Sequence, residues 1–256
     1  MSTWHYGLVA RWWAEFNHDG PEIEYYRRFV EPGQPALDVA CGAGRLLIPY
    51  LRDGLDVDGC DISPDMLAEC RAAAEREGLA PNLYAQAMHE LDLPRRYATI
   101  VVCGGFGLGS TREQDVEALR RLHDHLVPGG LLALDAEPAW RFAEAKPRTA
   151  ARAEPPDERR RGSDGAEYAL RGRLVDVDQK AHRTTMAIHA WMWRDGELVA
   201  EDEHLLTESF YERRELAALL DSAGFVDVEV RGGYHGGPPG PDDEMLVFLA
   251  RRPESM

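Results

Sequence analysis

The chain has 256 residues, with 45 acidic side chains against 29 Lys and Arg, for a formal net charge of −16. That length supports one large core with room for an insertion, while the charge argues against a nucleic-acid substrate, since binding phosphates needs clustered Lys and Arg. The one basic run, Arg159-Arg160-Arg161, sits among Pro and Glu and reads as a solvated loop. No apolar stretch reaches the length of a membrane span, and the N-terminus has no signal-peptide pattern, so a cytoplasmic protein with no membrane partner is expected.

In chain order, Trp4, Tyr6, Trp12, Trp13 and Phe16 concentrate aromatics ahead of the first strand, in a segment (1–34) expected to be a helical cap that uses them as core, dimer or pocket contacts. Pro35-Ala36-Leu37 then leads as a buried strand into Asp38-Val39-Ala40-Cys41-Gly42-Ala43-Gly44-Arg45, and Leu46-Leu47-Ile48 leaves it with helical spacing. A strand, a glycine turn and a helix start make a pocket for a nucleotide-like ligand. The glycines let backbone approach the ligand, and a helix N-terminus offers free N–H groups. Dinucleotide-binding turns read G-x-G-x-x-G without a strand-end acid. Here an acid precedes the turn and the third glycine is missing, which favours a cationic ligand over a pyrophosphate.

Asp56 to Asp61 reads as a second strand ending in an acid. Asp61 lies about 20 residues past the turn, where nucleotide folds place a ribose-binding carboxylate. Ser63-Pro64-Asp65 starts a helix, with Ser63 as N-cap. Ile62 and Met66 suit an adenine face, although Met66 is equally suited to helix core. Asn82 to Gln86 is a third strand, followed by Met88 at an apolar position. Thr99-Ile100-Val101-Val102-Cys103 is a nearly continuous apolar run, the mark of a strand covered on both faces. It ends in the glycine loop 104–109, which carries Phe106. Thr111 and Gln114 stand at capping-box spacing, Val116, Leu119, Leu122 and Leu126 give an apolar helical stripe, and Pro128-Gly129-Gly130 is expected to stop that helix. Leu131 to Asp135 is a fifth strand.

Alternation then breaks. Glu144 to Gly165 lacks periodicity and is expected to be a mobile loop. Tyr168 to Val177, Arg183 to Trp193 and Val199 to Thr207 read as antiparallel strands, the last two joined by a turn at Asp195-Gly196. In the middle strand Thr185, Ala187, His189, Trp191 and Trp193 share one face, and Met186, Ile188, Ala190 and Met192 the other. Apolar groups on both faces let one cover a pocket mouth and the other meet a partner chain, which leaves room for a homodimer. Glu212 to Ser222 is a helix. Val226 to Val230 and Met245 to Ala250 are the last two strands, with Tyr234 and His235 on the glycine-rich loop between them. Cys41, Cys60, Cys70 and Cys103 form no C-x-x-C pair and are expected to be buried thiols, with no metal site.

The expected fold is α/β: a doubly wound, mostly parallel seven-stranded sheet, Rossmann-like, with a small antiparallel β insertion after the fifth strand. The divisions are a helical cap (1–34), a cofactor-binding half (35–138), a loop with the antiparallel insertion (144–207), and a closing helix with two strands (208–252). Ligands in such sheets sit beyond the carboxyl ends of the strands. Asp38, Asp61, Met88 and Cys103 all fall there.

The acid-glycine motif, the second strand-end acid and the Leu219-to-Val230 ending resemble the class I S-adenosylmethionine-dependent methyltransferases, in which glycine is commoner at the place of Ala40. The resemblance implies S-adenosyl-L-methionine as cofactor. Asp38 would hold the amino end of its methionine part, and Ala40, Gly42 and Gly44 would pass beneath it. Asp61 then faces the ribose, and Ile62, Met66, Met88 and Cys103 the rest. The family often carries an acid where this chain has Ala87, so the adenine edge falls to Gln86 or the Met88 backbone. The implied reaction is in-line methyl transfer to a small molecule. A cofactor-binding protein that does not methylate remains the alternative. Tyr6, His189 and His235 are the candidate catalytic groups, and Tyr6, Phe106, His189, Tyr234 and His235 the candidate acceptor contacts. Alignment of the reactants is the main demand, and a base is needed only for a protonated acceptor.

Overall fold

A computed structural model describes residues 3, 5–143, 145 and 154–254. Trp4 and residues 144 and 146–153 of the expected loop (144–165) lie outside them. The strands are β1 (Ala36–Val39), β2 (Val57–Asp61), β3 (Leu83–Ala85), β4 (Tyr97–Val102), β5 (Leu126–Ala136), β6 (Arg160–Arg161), β7 (Glu167–Asp178), β8 (Arg183–Arg194), β9 (Glu197–Ser209), β10 (Val226–Gly232) and β11 (Leu246–Arg251). The helices are α1 (Gly7–Phe16), α2 (Pro21–Val30), α3 (Leu47–Arg52), α4 (Pro64–Arg76), α5 (Arg112–His125) and α6 (Arg213–Ser222).

Seven strands form one sheet in the order β10-β11-β5-β4-β1-β2-β3. Strands β1 to β5 run parallel, and β11 pairs antiparallel with both β5 and β10. Alternation along each strand feeds two cores. Leu37, Val39, Ile100, Val102, Leu132 and Leu134 pack with Leu119, Leu122, Leu216 and Leu220 of α5 and α6. On the opposite face Ala36, Val101, Ala133 and Val247 pack with Tyr25, Tyr26, Leu47 and Tyr50 of α2 and α3. Burying each such aliphatic chain contributes about 2 kcal/mol, which is why the sheet is covered on both sides.

The local signals act as their chemistry requires. Ser63 Oγ accepts from Met66 N at 3.1 Å to start α4. Thr111 and Gln114 close a reciprocal capping box on α5. Asp195 and Gly196, at φ +52° and +84°, make the two-residue turn between β8 and β9. Pro128-Gly129-Gly130 behaves differently from expectation: α5 ends at His125, and the triplet forms a bulge inside β5, where Tyr97 pairs Leu126 but Thr99 pairs Leu131.

The insertion is a second, antiparallel sheet of four strands, β6-β7-β8-β9. Arg160-Arg161 supply the extra short strand, and the turn after them is anchored on α1 through Arg11–Asp164 at 2.8 Å and Ser163 Oγ–Glu15 at 3.1 Å. This end of the expected mobile loop is therefore tied down. Leu8 and Val9 of α1 pack on Ile188, Ala190 and Tyr168. The Met186 face of β8 is thus the one turned toward the large sheet, and the His189 face is turned away from it. Among the described residues no helix is long and apolar enough to cross a membrane.

Candidate active site

At the carboxyl end of β1 the chain turns through Ala40, Gly42 and Gly44 at φ +59°, +55° and +92°. Ala40 holds a left-handed conformation that costs a residue with a Cβ about 1 kcal/mol or more. The turn is fastened to β2, since Gly42 N donates to Asp61 Oδ2 at 2.9 Å and Ser63 N donates to Oδ1 at 2.8 Å. Burial raises the Asp61 pKa even against these donors. Above this turn lies a cavity of about 650 Å³, whose walls include Ala40, Gly42, Asp61, Ile62, Met66, Met88 and Cys103.

Two expected residues are absent from those walls. Gly44 faces the helices: a Cβ on it would stand 2.8 Å from Cys70 Sγ and from Ile48 Cγ1, so its role is close packing. Asp38 is buried just beneath the turn (3% exposed), and its Oδ2 has no hydrogen-bond partner among the described residues. Burial pushes its pKa up to about 8, with the nearby Arg45 opposing and Asp61 reinforcing the shift. A buried carboxyl oxygen without a donor is costly unless a ligand supplies one.

At the far wall Gln86 is clasped by the backbone of Asp92, which donates to its Oε1 at 2.9 Å, and Gly105 sits so close to Ala40 that a Cβ would collide with the Ala40 methyl. Arg45 lines the cavity, pairs with Glu22 and donates to Cys103 Sγ at 3.6 Å. Burial raises the Cys103 pKa and keeps it a thiol. Below this wall Asp135 accepts from Tyr26 Oη (2.9 Å), Tyr234 Oη (2.6 Å) and Gly104 N (2.6 Å).

The roof comes from three places. Thr3, His5, Trp13 and Asn17 close it from the N-terminal segment. Burial lowers the His5 pKa to about 4, so the ring is neutral at physiological pH. Glu137 and Arg141 enter after β5, and Leu174, Met186 and Glu208 descend from the small sheet. Glu208 is placed by main-chain bonds on either side of it: Gly109 N donates to Thr207 O at 2.8 Å, and Ser209 N donates to Gly107 O at 2.9 Å. Gly107 must lack a side chain here, because a Cβ would lie 2.5 Å from Ser209 O.

The expected catalytic and acceptor residues do not line this cavity. Tyr6 is 39% exposed and lies edge-on to His204. Phe106 is buried in the core against Tyr211. His189 is on the outward face of β8, stacked on Trp191 at 4.0 Å and 3.7 Å from Glu201. Tyr234 is spent on Asp135 below the floor. His235 is exposed and paired with Asp243 at 2.9 Å. The residues that sequence reasoning missed are His5, Arg45, Glu137, Arg141 and Glu208. Arg45 directly follows the glycine turn and was findable there, and Glu137 is an acid just past a strand end. Nothing local marks Glu208, whose position depends on a contact between distant loops.

The cavity fits a nucleoside with a charged amino-acid tail. It has a carboxylate held at a strand end, apolar walls at Ile62, Met66 and Met88, and an arginine, Arg45, with the unsatisfied acid Asp38 buried beneath the turn rather than in the wall. Residues 36–130 match the family model for a methyltransferase domain. A dTDP-3-amino-3,4,6-trideoxy-alpha-D-glucopyranose N,N-dimethyltransferase of Streptomyces venezuelae is 29% identical over 203 residues, covering 78% of this chain and 78% of that one. The crystal structure of DesVI from the same organism shares the fold with a TM-score of 0.69 at 24% identity, covering 99% of this chain and 100% of that one. The sugar N-methyltransferase KedS8 from Streptoalloteichus does so with a TM-score of 0.70 at 22% identity, covering 99% and 98%. A methyltransferase domain beginning at the acid-glycine strand, with this fold around it, makes the chain an S-adenosylmethionine-dependent methyltransferase.

Proposed function

We propose that the protein methylates an amine nitrogen of a small molecule, an amino sugar or a compound of similar size, in the cytoplasm. The observation that carries the site assignment is the cavity at the strand ends, lined by Gly42 and Asp61 on one side and by Met186 and Glu208 on the other. The choice of nitrogen draws on the similarity to the sugar N,N-dimethyltransferase.

In this reading Asp61 accepts from the ribose hydroxyls, and Ile62, Met66 and Met88 cover the adenine. Asp38 takes the cationic end of the methionine part, and Arg45 its carboxylate. Residues 35–138 form the cofactor half, and the helices of 1–34 with the small sheet close the acceptor side. The cofactor supplies an already activated methyl group on a sulfonium. The chain's own task is to align the acceptor and keep water out, and such alignment can contribute several kcal/mol. The acceptor is a small molecule and neither a nucleic acid nor a membrane lipid. The sheet face bearing His189 and Trp191 exposes Leu198 and Leu205 and is where a second copy would sit in a homodimer.

The test is acceptor-dependent formation of S-adenosylhomocysteine. Turnover is expected with amino sugars and not with their hydroxyl counterparts, and Asp61→Ala should weaken cofactor binding about tenfold or more. Turnover with the hydroxyl compounds alone would reject the nitrogen reading.

A further inference from the structure

The acceptor side of the cavity carries two carboxylates from elements far apart in sequence, Glu137 after β5 and Glu208 on β9. They are not equivalent. Glu137 is paired with Arg141 at 3.4 Å, which offsets its charge. Among the described residues no cation stands within ion-pair distance of Glu208, and its strand is pinned on both sides to the glycine loop that borders the cavity. Leu108, which bridges to it, and Leu174 and Met186 line the same cavity as apolar groups, so a polar ligand group is the natural partner for this carboxyl.

We infer that Glu208 is the acceptor-side catalytic residue, binding the ammonium of the substrate and taking one proton from it. This rests on the methyltransferase reading and adds to it the charge state of the acceptor and the group that deprotonates it. The transfer is R–NH₃⁺ + Glu208–COO⁻ → R–NH₂ + Glu208–COOH. The N–H bond breaks, the proton moves to the carboxylate, and the lone pair freed on nitrogen is the nucleophile. The charged and titratable groups facing Glu208 are Glu137 and Arg141; burial and Glu137 raise its pKa, Arg141 lowers it, and the result is about 8. A carboxyl in that range competes for an amine's proton far better than an ordinary carboxylate does, so the neutral nucleophile forms without discharging a proton to solvent. Arg141 keeps the pair from being doubly negative, and Glu137 holds Arg141 in place.

The experiment needs no acceptor. S-Adenosylhomocysteine is the demethylated, uncharged cofactor. Sinefungin replaces the sulfonium methyl by an amine and so presents an ammonium toward the acceptor side. Affinities for both are measured by calorimetry at pH 6.5 and 8.5 in the wild type, Glu208→Gln and Glu208→Asp. The wild type should prefer sinefungin more strongly at pH 8.5, where Glu208 is ionised. Glu208→Gln should reduce the sinefungin-to-S-adenosylhomocysteine affinity ratio at pH 8.5 about fivefold or more and flatten its pH dependence. Glu208→Asp should keep both features in part. Unchanged binding of S-adenosylhomocysteine shows that each variant retains its fold and cofactor site. If that ligand binds all three proteins and the ratio is the same in each, the assignment of Glu208 is wrong while the cofactor reading stands. If it fails to bind the wild type, the cofactor reading itself falls, and this inference with it.

Discussion

Asp38→Asn should change the pH dependence of cofactor binding more than it changes the fold. In the free protein the Asp38 pKa is about 8, chiefly through burial. The cationic end of the cofactor favours the ionised acid, so below that pKa binding must first expel a proton. Affinity should then track the ionised fraction, rising about 50-fold between pH 6 and pH 8, with about 0.9 proton released per binding event at pH 7. The cofactor's own amino group, which titrates near 8, contributes equally to both proteins and is removed by comparing them. Calorimetry in buffers of different ionisation enthalpy reads both the affinity and the proton count. Asp38→Asn should lose the Asp38 share of the slope and the proton release, and bind about 2 kcal/mol more weakly at pH 9. The sign for folding is opposite. Because the folded-state pKa is raised above the unfolded one, the free protein holds the extra proton between about pH 4 and pH 8 and loses stability across that window as pH rises; Asp38→Asn should remove that fall. Equal slopes and equal proton release in the two proteins would refute the reasoning.

Other substitutions test the surroundings. Ala40→Gly relieves a left-handed alanine and should raise the melting temperature by about 2 °C, and Gly105→Ala should lower it and weaken cofactor binding unless Ala40→Gly accompanies it. A full, uncompensated loss in the double variant would mean that the two do not meet. Tyr234→Phe removes one of three donors to Asp135 and should cost about 1–2 kcal/mol in chemical denaturation with little effect on cofactor affinity. His189→Ala and His235→Ala should leave the pH profile of turnover unchanged, the first losing some stability through its stack on Trp191. A shifted profile in either would return that histidine to the chemistry.

How much of this was legible in the sequence follows from range. Gly42 and Asp61 could be read because turn conformation and strand-end acids are local properties, fixed within a few residues. The capping box at Thr111 and the turn at Asp195-Gly196 are legible for the same reason. Alternation in β8 separated two faces but could not tell which one turns inward, so His189 entered among the acceptor candidates although its face is turned away from the cavity. Tyr234 lies on a loop at the proper end of the sheet, yet the pull of a buried acid, Asp135, takes its hydroxyl below the floor. Glu208 depends on main-chain pairing between residues about a hundred positions apart, for which no local pattern exists.

The most direct test of the central claim is mass spectrometry of a panel of small amines after incubation with the protein and S-adenosylmethionine. The panel should include dTDP-linked amino sugars and their hydroxyl counterparts. The account predicts that an amine gains the mass of one CH₂ per turnover, with the new methyl on nitrogen by fragmentation, and that the hydroxyl counterpart gains none. Methylation of the hydroxyl compound, or no mass gain in any amine by a protein that binds the cofactor, would contradict it.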